Sequence, residues 1–254
     1  MAPLQIERTD SLAVLRMSKS RANALDEAFV GELIHAIDVL EVDDRVRGVL
    51  LASGHPKLFC PGLDLVSLIE YDRPAMRRFL GTFGELVHHL YASKKPVVCA
   101  VNGHAVAGGC ILALTADYRV AKPRAQIGLN EVKIGVPLPW SVGKLLEASV
   151  GPGSLARVAL LGRNFAGDEA IQIGLVDELA DEDAFESVCL ERLEEFAEKD
   201  PYAFGVTKRY LRAATLELMK ERESALMGDF LDGWFSEGTQ KRIRDTIAAL
   251  QSKG

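Results

Sequence analysis

Apolar residues in the first half of the chain fall into short runs separated by longer amphipathic stretches. Leu12 to Met17, Val46 to Ala52, Pro96 to Asn102 and Asp117 to Ala121 are apolar without clean alternation, the pattern of strands covered on both faces. Between them, Leu25 to Glu41 sets Leu25, Phe29, Leu33 and Ile37 on one helical stripe. Leu65 to Tyr71, Ala75 to Ser93 and Gly109 to Ala116 also read as helices. Strands and helices taking turns predict an α/β class with crossover connections. From about Pro139 the pattern becomes almost wholly helical, over Val142 to Ser149, Ser154 to Leu161, Gly167 to Gly174, Glu182 to Lys199 and from Ala203 onward. Ser154 reads as an N-cap. Phe230 to Leu250 carries Phe230, Trp234 and Phe235 beside a charged tail, which predicts contacts with a partner. Packing back onto their own chain is the alternative.

Composition narrows the class. With 254 residues and 48% hydrophobic content, the chain can fill one large core, and intrinsic disorder is excluded. Its best apolar run, Val97 to Val101, falls far short of the roughly 18 residues of a membrane span. A net charge of −6 argues against non-specific binding to nucleic acid or an anionic membrane, while leaving room for a local cationic pocket. The four cysteines are spread without a CxxC pair, so they read as free thiols in a reducing compartment. Met1 to Asp10 has no apolar core of a secretory signal, and a cytoplasmic location is expected. The histidines show no metal-ligand spacing, and neither a metal nor a separate cofactor is expected.

Two glycine-rich stretches each follow a strand and enter a helix: Lys57 to Asp64 (KLFCPGLD) and Asn102 to Cys110 (NGHAVAGGC). The first N–H groups of a helix lack internal acceptors and carry the positive end of its dipole. Two such turns converging would offer two donors to a developing oxyanion, with glycine allowing close approach. Asp64 reads as the N-cap of the helix that follows. Cys60 and Cys110 lie in these stretches as thiol nucleophiles or, more simply, as small packing residues. A third element, Gln126 to Val132 (QIGLNEV), sets Glu131 between Leu129 and Val132. Apolar walls there would raise its pKa and suit it to proton transfer; a solvated turn glutamate is the alternative. Gly151 to Ala156 matches a dinucleotide-binding string but follows a helical segment, without the strand that motif requires.

Taken together, Arg21-Ala22-Asn23-Ala24-Leu25, FCPGLDL at Phe59 to Leu65, VNGHAVAGGC at Val101 to Cys110 and GLNE at Gly128 to Glu131 resemble the crotonase (enoyl-CoA hydratase/isomerase) family over nearly the whole chain. The resemblance implies a superhelical spiral of ββα turns over residues 1–200 and a helical C-terminal trimerisation region over 201–254. It also implies an acyl-CoA thioester substrate and a homotrimer or hexamer. By motif position, the backbone N–H groups of Leu63 and Gly108 would hold a thioester enolate. Ala22, Ala24, Pro61, Gly62, Leu63, Asp64, Leu65, Gly108 and Asn130 would line the substrate, with Arg21 and Lys57 as candidates for the CoA phosphates. Pro61 has no N–H, so it could contribute only its carbonyl.

Hydratases of the family carry two glutamates. Here the first position is Ile111 and the second is Glu131. One shuttling carboxylate suffices to move a double bond, and the run IGLNEVKIGVPLPW is similar to that of 3,2-trans-enoyl-CoA isomerases. The expected reaction is therefore conversion of a 3-enoyl-CoA to the 2-trans-enoyl-CoA. A hydratase, another acyl-CoA reaction such as hydrolysis or decarboxylation, or a non-catalytic acyl-CoA-binding protein are the alternatives.

Overall fold

A computed structural model describes residues 2–20 and 22–252. Arg21 lies outside them. The chain opens with β1 (Leu4–Thr9), antiparallel to β2 (Leu12–Met17), with Leu4 opposite Met17. The charged stretch Glu7-Arg8 hides β1 in the sequence; in the fold it is an edge strand, and Arg16 on β2 pairs with Glu7 at 2.7 Å. Helix α1 (Glu27–Val42) starts at Asp26, whose carboxylate accepts from the Phe29 N–H, and returns the chain to β3 (Gly48–Ser53), parallel to β2.

From β3 onward a unit repeats: one strand in a large sheet, one in a small sheet, then helix. After β3 come β4 (Leu58–Cys60), α2 (Leu65–Leu68) and α3 (Arg73–Ala92). Next are β5 (Val97–Val101), β6 (His104–Val106) and α4 (Gly108–Thr115). The third unit is β7 (Tyr118–Ala121), β8 (Ile127–Gly128), α5 (Glu131–Ile134) and α6 (Trp140–Ser149). Helix α7 (Gly167–Ile173) leads to β9 (Glu178–Leu179), which closes the edge of the large sheet. The order β1-β2-β3-β5-β7-β9 in one sheet and β4-β6-β8 in the other is the ββα spiral in strand numbers.

Helix α8 (Phe185–Ala197) explains why the strands lack clean alternation. Its Phe185, Cys189 and Leu193 pack on Val14, Leu50, Val98 and Val120, while the alternate residues Leu15, Leu51, Cys99 and Ala121 face the main core with α1 and α3. Both faces of the large sheet are buried.

Three expectations need correction. The helix expected from Leu65 to Tyr71 ends at Leu68, because Asp72 caps a new helix with Pro74 in its first turn. The helix expected over Ser154 to Leu161 is a 3₁₀ turn, Pro152–Ser154, followed by a π turn, Ala156–Leu160. Ser154 closes the former, donating its N–H to the Gly151 carbonyl, and caps nothing.

The third correction concerns the C-terminal aromatics. Helix α9 (Pro201–Trp234) and helix α10 (Glu237–Gln251) fold back on the core, so Phe230 and Trp234 are buried within their own chain and stack at 6.1 Å. Helix α9 is held by a buried ion cluster: Lys208 and Arg212 reach Asp117 at 2.6 and 2.8 Å, and Asp117 also accepts the Val97 N–H. Burial lowers the Lys208 pKa to about 8.

Candidate active site

The three strands of the small sheet run parallel, so their C-terminal ends open on one edge. From that edge leave Pro61-Gly62-Leu63 after β4, Ala107-Gly108 after β6, and Asn130-Glu131 after β8. Segments far apart in sequence meet there because parallel strands deliver their carboxyl ends to the same side. They border a cleft of about 1050 Å³, lined among others by Ala22, Ala24, Pro61, Leu63, Asp64, Leu65, Gly108, Ile111, Asn130 and Glu131.

The two glycine turns touch. A Cβ on Gly62 would lie 3.1 Å from the Gly108 nitrogen, and one on Gly108 would lie 3.1 Å from the Gly62 Cα. Gly62 also has φ +101°, a conformation costly to any side chain. Leu25 bridges this segment, donating to the Gly62 carbonyl and accepting the Asp64 N–H, both at 2.9 Å. The Leu63 N–H between them turns the other way, to the cleft side. Gly108 is the first residue of α4, so its N–H has no acceptor within the helix. Ala107 ahead of it has φ +50° and ψ −120°, a strained conformation for alanine, held by its N–H bond to the Gly128 carbonyl at 2.9 Å. Leu63 and Gly108 therefore border the cleft together, from adjoining turns.

Glu131 opens α5 at the third strand end. Its Oε2 is buried and has no hydrogen-bond partner among the described residues. Burial raises its pKa to about 7, against the lesser pull of its own backbone N–H. The burial of this oxygen rules out the solvated-turn alternative, and a carboxyl raised in this way suits proton transfer near neutrality. Asp64, the other carboxylate lining the cleft, accepts from the Ser67 N–H and hydroxyl at 3.3 and 3.1 Å, which confirms it as the cap of α2. Ile111 lies on α4 with 3% exposure, in the same cleft. Burial pushes the Cys60 thiol up to about 12 and Cys110 higher still, so both are packing residues.

Further contributors were given no site role by the sequence. Asn23, fully buried with φ +67°, donates its amide to Ser53 Oγ and the Phe59 carbonyl and accepts the Lys19 N–H, each at 2.9 Å. It fixes the turn that presents Ala22 and Ala24. Leu80 and Phe83 of α3, Ile134 and Val136, and Phe230 and Trp234 of α9 form an apolar arm of the cleft. Thr246, Leu250 and Gln251 of α10 line it as well. Lys57, by contrast, is exposed and does not line the cleft; its carbonyl accepts the His104 N–H. Gly62 stands one residue behind the lining at Leu63. Among the described residues lining the cleft none is Lys or Arg, and none of the described residues form a cluster that would hold a metal ion. No helix among them is long and apolar enough to cross a membrane.

Residues 7–244 match the family model described as enoyl-CoA hydratase/isomerase. The chain is 31% identical over 244 residues to the human protein named enoyl-CoA delta isomerase 1, mitochondrial, covering 95% of this chain and 81% of that one. It is 30% identical over 206 residues to the short-chain-enoyl-CoA hydratase of Clostridium acetobutylicum, covering 80% and 78%. The crystal structure of human mitochondrial delta3-delta2-enoyl-CoA isomerase superposes with a TM-score of 0.94 at 30% identity, over 99% of each chain. With the family model matching most of the chain and the fold shared over its whole length, the chain belongs to the enoyl-CoA hydratase/isomerase family, with the crotonase fold.

Proposed function

We propose that this protein isomerises 3-enoyl-CoA thioesters to 2-trans-enoyl-CoA. The observation that carries the reading is the count of proton-transfer groups: Glu131 has a buried, unpartnered carboxylate oxygen, and Ile111 faces the same cleft with nothing to titrate. The ionised Glu131 takes a proton from the carbon between the thioester and the double bond. The electron pair moves onto the thioester oxygen, which the Leu63 and Gly108 N–H groups stabilise as a dienolate. Glu131 then returns the proton at the far carbon of the former double bond, and the pair flows back to leave the new double bond conjugated with the carbonyl. Nothing is gained or lost, so one group that gives back what it takes is sufficient. Apolar walls at Ile111, Ile134 and Val136 keep water from the dienolate.

Adding water to a 2-enoyl ester is the competing reading, since named hydratases are also about 30% identical. It requires a second group to activate water, a role Ile111 cannot take. One preparation assayed on matched 3-enoyl-CoA and 2-enoyl-CoA esters decides between them: we expect isomerisation to dominate, and hydration at an equal rate would refute the isomerase reading. The acyl-CoA contacts we assign are the main chain of Ala22, Ala24 and Pro61 to Leu65, with Asn130 beside the base. Residues 201–254 contribute to self-association in this reading, and the four buried free thiols fit a reducing compartment.

A further inference from the structure

The turn that brings Ala22 and Ala24 to the cleft is strained. Ala22 has φ +57° and Asn23 has φ +67°, two successive non-glycine residues in the left-handed region. Asparagine tolerates that conformation better than alanine does, so the strain sits at Ala22, a residue that lines the cleft. Backbone of this kind persists only where its surroundings hold it.

Lys19 holds the turn at both ends. Its N–H goes to Asn23 Oδ1 at 2.9 Å, and its carbonyl accepts from His55 Nε2 at 2.9 Å and from the Asn23 N–H at 3.3 Å. Its side chain crosses to the far end of the turn. There the ammonium donates to the Ala24 carbonyl at 2.7 Å and pairs with Asp26 Oδ2 at 2.6 Å. The other oxygen of Asp26 caps α1 at the Phe29 N–H, so the ammonium is anchored to a fixed helix end. Its Nζ also lies 5.3 Å from the centre of the Phe29 ring. Lys19 itself does not line the cleft. It is a strut behind the wall.

We propose that Lys19 is a positioning residue for the carrier part of the substrate: by fixing the Ala24 carbonyl, it keeps the left-handed turn in the shape that receives a CoA thioester. The proposal rests on the acyl-CoA reading of the cleft. Without the ammonium, Ala22 is free to relax out of the left-handed region. If the receiving shape is then populated about one time in ten, apparent affinity falls about tenfold, while the bound complex reacts as before. Ala22→Gly allows the same φ without strain, so it makes the strut less necessary.

The test uses two carriers for one acyl group: CoA, and N-acetylcysteamine, which keeps the thioester and lacks the rest of the carrier. Kd for the hexanoyl esters, and kcat and KM for the 3-hexenoyl esters, are measured in wild type and in three variants. These are Lys19→Met, Lys19→Met combined with Asp26→Asn, and Lys19→Met combined with Ala22→Gly. Asp26→Asn keeps a helix cap and removes the charge left unpaired. The first two variants should raise Kd and KM for the CoA esters about tenfold. Their kcat, and their kcat/KM on the N-acetylcysteamine ester, should stay within about twofold of wild type. Adding Ala22→Gly should recover most of the loss. The salt dependence of Kd should match wild type, because in this proposal Lys19 touches no phosphate. An equal loss on both carriers, a fall in kcat with KM unmoved, a flattened salt dependence or no recovery with Ala22→Gly would overturn the proposal. If no ester is isomerised, the isomerase reading fails and the Kd series still decides Lys19. If wild type binds hexanoyl-CoA no more tightly than the N-acetylcysteamine ester, the acyl-CoA reading fails and the proposal with it.

Discussion

Arg242 donates its Nε to the Ile134 carbonyl at 3.0 Å, so the last helix of the chain holds the C-terminal end of the short helix that Glu131 begins. Thr239, one turn earlier on α10, binds the next carbonyl, Gly135, also at 3.0 Å. The position of the base is thus set partly from a segment more than a hundred residues away.

Arg242→Ala should therefore lower kcat by about tenfold with KM within about twofold, since a small misplacement of a reacting group costs rate more than binding. The decisive readout is the pH profile. A loosened α5 admits water to Glu131, and the apparent pKa of kcat should fall toward the ordinary carboxylate range; an unshifted profile would reduce Arg242 to a structural role.

Glu131→Gln should lower isomerisation by about a hundredfold or more while leaving affinity for a saturated acyl-CoA largely intact. Turnover near wild type would remove Glu131 from the mechanism. In wild type, activity needs the ionised carboxylate, so kcat should rise with pH through about 7. Stability runs the opposite way. The folded pKa lies above the unfolded value of 4.5, so the native state holds the extra proton between 4.5 and about 7, and stability falls as pH rises through that window. Denaturant titrations at pH 5 and pH 8 should show this slope in wild type and its loss in Glu131→Gln.

Ile111→Glu tests the division between the two reactions. The new carboxylate would face the cleft on α4 and supply the second proton-transfer group, so hydration of 2-enoyl-CoA should rise by about tenfold or more. The gain will be smaller than a native pair would give, because nothing orients the new side chain. A buried charge should also cost about 2 kcal/mol, visible in urea unfolding.

Asp117→Ala should destabilise the fold by about 3–5 kcal/mol, because Lys208 and Arg212 would be left buried without their counter-charge. Loss of stability below about 1 kcal/mol would mean the cluster is solvated rather than buried.

Self-association is the remaining expectation. Leu160, Leu161, Tyr210 and Leu211 are exposed, with Leu211 at 79%. Light scattering on the full chain should return the mass of a trimer or hexamer, and a monomer would discard the assignment of residues 201–254 to assembly.

The position of the candidate site was legible in the sequence wherever it sat at a strand end. Leu63, Gly108 and Glu131 each follow a short apolar run, and the local pattern of strand, small residues and helix marks the turn. The apolar arm was not legible, because Leu80, Phe83, Phe230 and Trp234 look like any residues on a helical stripe; only the packing of α9 against α3 makes them a wall. The aromatic C-terminal segment misled for the same reason. Its apolar side chains need burial, and a linear pattern does not say whether the cover is a partner or the chain's own cleft. Edge strand β1 escaped because the consecutive charges Glu7 and Arg8 interrupt its apolar pattern on both faces.

Because the donors at Leu63 and Gly108 belong to the main chain, no ordinary side-chain replacement can delete them; only a Cβ at Gly62 or Gly108, or a break in the turn at Ala107, would disturb them. In the proposed mechanism the part of the cleft that would stabilise a thioester oxyanion is in this sense insulated from most mutation, while the groups that would decide the fate of the enolate, Glu131 and Ile111, stand on separate helices and can be exchanged one codon at a time. A scaffold divided in this way can change its reaction without first losing its substrate.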